Sequence, residues 1–94
     1  MAEMAYLVGG DTGEYSDHCS WYVRICLDRA TADALCERLN AWCKERGLAE
    51  EHSRWDGKEH PPEDPSFRHN YTGTWYSVAE IPLDVARTLR VADR

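Results

Sequence analysis

Between residues 28 and 47 the apolar side chains Ala32, Leu35, Cys36, Leu39, Trp42 and Cys43 recur at the spacing of one helical face. Arg29, Asp33, Glu37, Arg38, Lys44 and Glu45 fall on the other face and read as solvated. Asp28 is placed to cap the N-terminus, and Gly47 followed by Leu48 has the form of a left-handed C-terminal cap with its hydrophobic contact. At about 1.5 Å per residue this is a rod of about 27 Å. A helix with a single apolar stripe needs a sheet to cover.

Strand patterning lies on both sides of the helix. Ala5 to Val8 is a short apolar run, and Ser20 to Leu27 alternates, with Trp21, Val23, Ile25 and Leu27 on one face and Tyr22, Arg24 and Cys26 on the other. Residues 9 to 17 are rich in turn formers, so the two strands are expected to form an antiparallel hairpin with a long tip. Thr72 to Ile81 predicts a third strand, Tyr76, Val78 and Glu80 opposing Trp75, Ser77, Ala79 and Ile81, with Pro82 ending it. Asp84 is placed to cap a short terminal helix carrying Val85, Ala86 and Leu89. Residues 49 to 71 follow neither period and hold Pro61, Pro62, Pro65, three His, Trp55 and Phe67, a long irregular loop whose aromatics argue for partial docking. The expected fold is a single α+β domain over residues 1 to 94. A three-stranded antiparallel sheet is covered on one face by one long helix, in the order β-β-α-loop-β-α, with a short C-terminal helix.

Composition sharpens this outline in three ways. A chain of 94 residues is one domain by size, and its four Trp and five Tyr supply enough apolar surface for one thin core without metal or disulfides. No apolar run approaches the roughly 18 residues that span a bilayer, and the N-terminus lacks the basic start and apolar stretch of a secretory signal, so a cytoplasmic location is expected. Seventeen acidic against eleven basic residues give a net charge of −6. The excess sits at Glu3, Asp11, Glu14 and Asp17 in the first 23 residues and at Glu50, Glu51, Asp56, Glu59, Glu63 and Asp64 in the loop. Direct phosphate or nucleic-acid binding is disfavoured, and a basic partner is the better fit.

Candidate chemistry is sparse. Cys19, Cys26, Cys36 and Cys43 invite a zinc reading, but Cys36 and Cys43 lie two helical turns apart, roughly 10.5 Å, too far to share a tetrahedral ion. Cys19 and Cys26 would point to opposite faces of a strand. All four therefore read as free, structural thiols, with no metal or cofactor expected. The carboxylates of residues 11 to 17 do not have the spacing of a calcium loop, and the glycines before them precede a strand rather than a phosphate-binding helix. His52, His60 and His69 read as exposed polar residues, and no serine has a recognisable neighbouring base, so the chain is not expected to be an enzyme.

The string Tyr6-Leu-Val8, a glycine-rich joint, Gly13-Glu-Tyr-Ser-Asp17, an alternating strand and a helix rich in Ala and Leu resembles a group of small bacteriophage and prophage proteins. The resemblance covers roughly residues 5 to 46 and also suits an aromatic strand such as Trp75 to Ile81. It departs from the simplest members in the acidic loop and the cysteine content, and it transfers no active site. It implies an accessory protein that acts by binding, and redirecting or inhibiting, a host protein, including host defence complexes such as CRISPR effectors. The residues expected to meet that partner are Glu14, Tyr15 and Asp17 at the hairpin tip and Trp55, Glu59, Glu63 and Asp64 in the loop, aromatics flanked by charge. The alternative is a self-associating structural module, a homodimer formed through a sheet face bearing Tyr22 and Tyr76.

Overall fold

A computed structural model describes residues 3 to 13 and 18 to 88. Its elements are β1 (Met4–Thr12), β2 (Cys19–Cys26), α1 (Arg29–Glu45), β3 (Thr74–Pro82) and α2 (Leu83–Ala86). The strands form one antiparallel sheet in the order β2-β1-β3, so the first strand of the sequence is the central one. This is the α+β architecture that the patterning predicts, with α1 across one face of the sheet. No helix among the described residues is long and apolar enough to cross a membrane.

The helix forms where its caps place it. Asp28 accepts from the Thr31 amide at 3.0 Å, satisfying one of the free N–H groups of the first turn. At the other end Gly47 takes φ +70°, a left-handed conformation that costs glycine little. The Leu48 amide then returns to the Cys43 carbonyl at 2.8 Å and the Gly47 amide to Lys44 at 3.1 Å, the paired bonds of a Schellman motif. Ala32, Leu35, Leu39 and Cys43 are buried against Val8, Trp21, Val23 and Tyr76 of the sheet, and Leu48 and Phe67 close the core from the loop side.

The hairpin departs from expectation in two places. β1 continues through Gly9 and Gly10 to Thr12 instead of ending at Val8. Gly10 lies opposite Trp21, and a Cβ on it would meet the indole Cζ2 at 2.4 Å, so the glycine belongs to the strand because the Trp21 ring lies over its backbone. The second departure is a bulge. Val8 pairs with Arg24 while Gly9 pairs with Tyr22, leaving Val23 as an extra residue of β2. The bulge reverses the in-out phase, so Trp21 and Val23 face the helix before it and Cys26 faces the helix after it, while Leu27 is 73% exposed. Cys19 and Cys26 therefore both pack towards the core, not on opposite faces, with six rungs of roughly 3.3 Å between them.

β3 alternates as its sequence predicts, Thr74 and Tyr76 buried and Trp75 and Ser77 exposed. Tyr76 is only 4% exposed and faces α1, so a homodimer face bearing Tyr22 and Tyr76 together does not exist. The outer edge of β3 is closed from within the chain. The Asn40 side-chain amide of α1 accepts from the Tyr76 N–H at 2.8 Å and donates to the Tyr76 carbonyl at 3.0 Å, and the Thr74 N–H donates to the Leu48 carbonyl at 2.9 Å. Asn40 thus stands in for one rung of a fourth strand. The terminal helix starts at Leu83 with Pro82 before it, so Asp84 lies inside the first turn instead of capping it, and Leu89 lies outside the described residues.

Candidate functional site

The loop expected to carry the partner surface is irregular, as its sequence suggests, but several of its side chains are committed inward. Trp55 is half-buried, edge-on to Phe67 at 5.2 Å, and its indole N–H donates to the Glu59 carbonyl at 2.5 Å. Glu63 accepts from Arg38 Nε at 2.8 Å, and the Glu59 carboxylate lies 3.5 Å from Arg46 Nε with more than half its side chain exposed. Asp56 is fully exposed and caps a turn, where backbone N–H donation from Glu59 and Lys58 holds its carboxyl below the usual range. Glu14, Tyr15 and Asp17 lie outside the described residues.

Asp64 is corrected outright, because it is not on the surface at all. It is 0% exposed, and its Oδ2 accepts from Trp21 Nε1 at 2.8 Å and from the Tyr76 hydroxyl at 2.6 Å. Its Oδ1 accepts from the Ser66 amide at 3.2 Å. A buried carboxylate is tolerated where donors of this kind replace its water. Its neighbours are pushed towards their protonated forms. Burial first, then the Asp64 hydrogen bond, raises the Tyr76 hydroxyl far above its ordinary value, and burial first, then the Asp64 charge, pushes the Cys43 thiol up to about 12. Trp21 meets Phe67 and Tyr76 edge-on, with centroids 6.4 and 6.1 Å apart. This cluster docks the loop; it does not present it.

His69 also differs from expectation. It is half-buried, with Nε2 2.8 Å from Ser53 Oγ and Nδ1 2.7 Å from Thr74 Oγ1. Those separations match a nucleophile, a base and an orienting group, a juxtaposition that sequence spacing did not reveal. In the fold the arrangement acts as a staple. The orienting group is a hydroxyl and not the carboxylate that stabilises an imidazolium, and Ser53 Oγ lies 2.7 Å from the Glu50 carbonyl, an acceptor for its proton. Thr74 Oγ1 continues to Thr12 Oγ1 at 3.1 Å, which takes the Asn70 amide at 2.8 Å and donates to the Gly73 carbonyl at 2.8 Å. The ladder fastens both ends of the loop to β1 and β3. Burial lowers the His69 pKa, favouring the neutral ring. His52 and His60 are exposed, as read from the sequence.

The four cysteines are free thiols, Cys26 and Cys43 buried and Cys19 and Cys36 half-buried. Among the described residues no group of three or more His, Cys, Asp or Glu is placed to hold a metal ion.

What remains open is the part of the sheet face opposite α1 around Gly9 and Asp11, beyond the buried Ala5 and Leu7. By register Gly9 sits between Tyr22 and Ser77, and Asp11 sits between Ser20 and Trp75. Tyr22 and Trp75 are large aromatics left 41% and 44% exposed, and between the edge strands the missing side chain of Gly9 leaves a depression of about 300 Å³. Leu7 and Ala79 line its apolar end, and Asp11 and Ser20 its polar end. The Asp11 Oδ1 accepts from Ser20 Oγ at 2.7 Å and lies 3.1 Å from His18 Nε2. The sequence carried this site in its strand alternation, but ending β1 at Val8 hid the role of Gly9 and Asp11. The chain matches no family model, and neither a curated protein nor a solved structure matches it.

Proposed function

We propose that this chain is a protein-binding accessory module, which acts by occupying a host protein and not by catalysis, as the phage-type resemblance implies. The observation that carries this reading is the open sheet face, where Tyr22, beside a depression, and Trp75 stay exposed while every other aromatic of the sheet strands is at least half-buried. The net charge of −6 and the exposed Glu50, Glu51 and Glu59 favour a basic partner, as a nucleic-acid-binding host factor such as a CRISPR effector would be. Relative to the sequence reading, the contact surface moves from the loop, whose Trp55, Glu63 and Asp64 have intramolecular partners, to the sheet face beside the hairpin.

The test is affinity capture from host lysate with the wild type, with a Tyr22→Ser/Trp75→Ser variant and with a Glu59→Gln/Glu63→Gln variant. A single protein retained by the wild type and by the loop variant but lost from the aromatic variant is the expected result. Equal recovery by all three would overturn the assignment. A second reading, self-association, draws on the same exposed face. Light scattering distinguishes it, since a dimer that dissociates in the aromatic variant would make the face a contact between copies of this chain.

A further inference from the structure

The open face has a specific chemical shape, and we infer that its depression receives a lysine or arginine side chain from an extended segment of a basic protein. This rests on the protein-binding reading above and names what the partner must present.

Three observations converge on a cation with an apolar stem. The two edge strands stand about 10 Å apart across β1, each spaced about 4.8 Å from it, and Gly9 places no side chain between them. The depression over Gly9, about 300 Å³, is of the size of one long side chain. Its floor at the Leu7 end is aliphatic, with Ala79 beside it, which suits methylenes. Towards the other end lies the Asp11 carboxylate, two residues from Gly9 and so about 7 Å along the strand. A stem of three or four methylenes laid over Gly9 brings its charged head to that carboxylate.

The charges and rings complete the match. Among the residues lining the depression Asp11 is the single acidic one. Its Oδ1 is taken by Ser20 and His18, a geometry that fixes the carboxylate plane, and among the described residues no hydrogen bond is made by its other oxygen. Tyr22 lines the depression and Trp75 stands on the opposite edge of the face, one rung-pair further along it, so an aromatic ring is within reach of a cation seated there. An acidic or purely apolar side chain would satisfy only part of this lining. A backbone added along the β3 edge meets Asn40 and Leu48, already bonded to Tyr76 and Thr74, so docking onto the face is the geometry that remains at that side.

The probe is a blocked hexapeptide of alternating lysine and valine, with its acetyl-lysine counterpart and its glutamate counterpart as controls, titrated into the full chain by calorimetry and by amide NMR. Binding of the lysine peptide, with shifts confined to Leu7–Asp11, Ser20–Tyr22 and Ser77–Ala79, is expected, and the acetylated peptide should bind at least about tenfold more weakly. Asp11→Asn keeps the acceptor for Ser20 and should weaken the lysine peptide about fivefold, and Tyr22→Ser about tenfold, with the urea midpoint of each variant within error of the wild type. Absence of binding, equal binding of acetylated and unmodified peptides, or an unaffected Asp11→Asn variant would each overturn the inference. If a host protein captured by the wild type were lost with Tyr22→Ser/Trp75→Ser but kept with Asp11→Asn, the cationic guest would fall while the protein-binding reading stood.

Discussion

Trp21 and Asp64 are 43 residues apart in sequence, yet the indole N–H of one donates to the carboxylate of the other at 2.8 Å. With the Tyr76 hydroxyl on the same oxygen, this bond ties the centre of the irregular loop to both a hairpin strand and the last strand. Asp64→Ala would leave both donors buried without an acceptor. It is expected to cost about 3 kcal/mol, read as a drop in the urea midpoint with Trp21 fluorescence as the probe. Asp64→Asn, which keeps an acceptor oxygen, should lose less. A loss under about 1 kcal/mol for the alanine variant would mean that water replaces the carboxylate and the loop is not pinned there.

Gly10 gives a second expectation, because the Trp21 ring occupies the position of its absent side chain. Gly10→Ala should displace the indole, lower stability by about 1 to 3 kcal/mol and shift the tryptophan emission, as overpacking does. Gly47→Ala strains only the backbone, since nothing lies within 4 Å of a Cβ there. It should cost about 1 kcal/mol and leave the emission unchanged.

His69 contributes to the acid side of the stability profile. Its folded pKa lies below the ordinary 6.5 because burial penalises the charged ring, so the unfolded chain binds the proton more readily. The stability contributed by the neutral ring is present above 6.5 and is lost as the pH falls from 6.5 through the folded value. Urea midpoints measured between pH 7.5 and 5 should therefore fall towards acid, and His69→Gln should flatten that limb. An unchanged slope in the variant would assign the acid loss to other groups.

Thiol reactivity gives a fourth test. Cys43, pushed up to about 12 and fully buried, should resist iodoacetamide at pH 8 in the folded protein and react once the chain is unfolded. Mass spectrometry of the alkylated peptides reads this directly. Modification of Cys43 at equal rates in the two states would show that α1 does not hold it in the core.

The elements that were legible in the sequence are those whose pattern is local. Asp28, Gly47 and the stripe from Ala32 to Cys43 fix α1, and the alternation of Trp75 to Val78 fixes the faces of β3. The bulge at Val23 was not legible, because one extra residue leaves the composition of the strand unchanged while exchanging the places of Cys26 and Leu27. Nor was the burial of Asp64, whose partners lie 43 and 12 residues away. A signal for it existed all the same. Trp21 and Tyr76 both read as strand residues, and on one buried face their N–H and O–H groups demand an acceptor that no neighbouring apolar residue can supply. The open-face depression was obscured for a related reason, since glycines at positions 9 and 10 read as a turn until a ring is known to lie over one of them.

The placement of β1 at the centre of the sheet has a consequence for how the protein comes into being. A ribosome releases β1 and β2 early, but the second neighbour of β1 is not made until residues 74 to 82 have been translated. Until then β1 keeps one edge unpaired, Asp64 has no Tyr76, and Asn40 has no strand to close. The nascent chain can hold a hairpin and a helix, but the docked loop and the finished open face arrive together, once β3 has emerged. A partner that needs that face therefore meets only chains in which β3 is already paired.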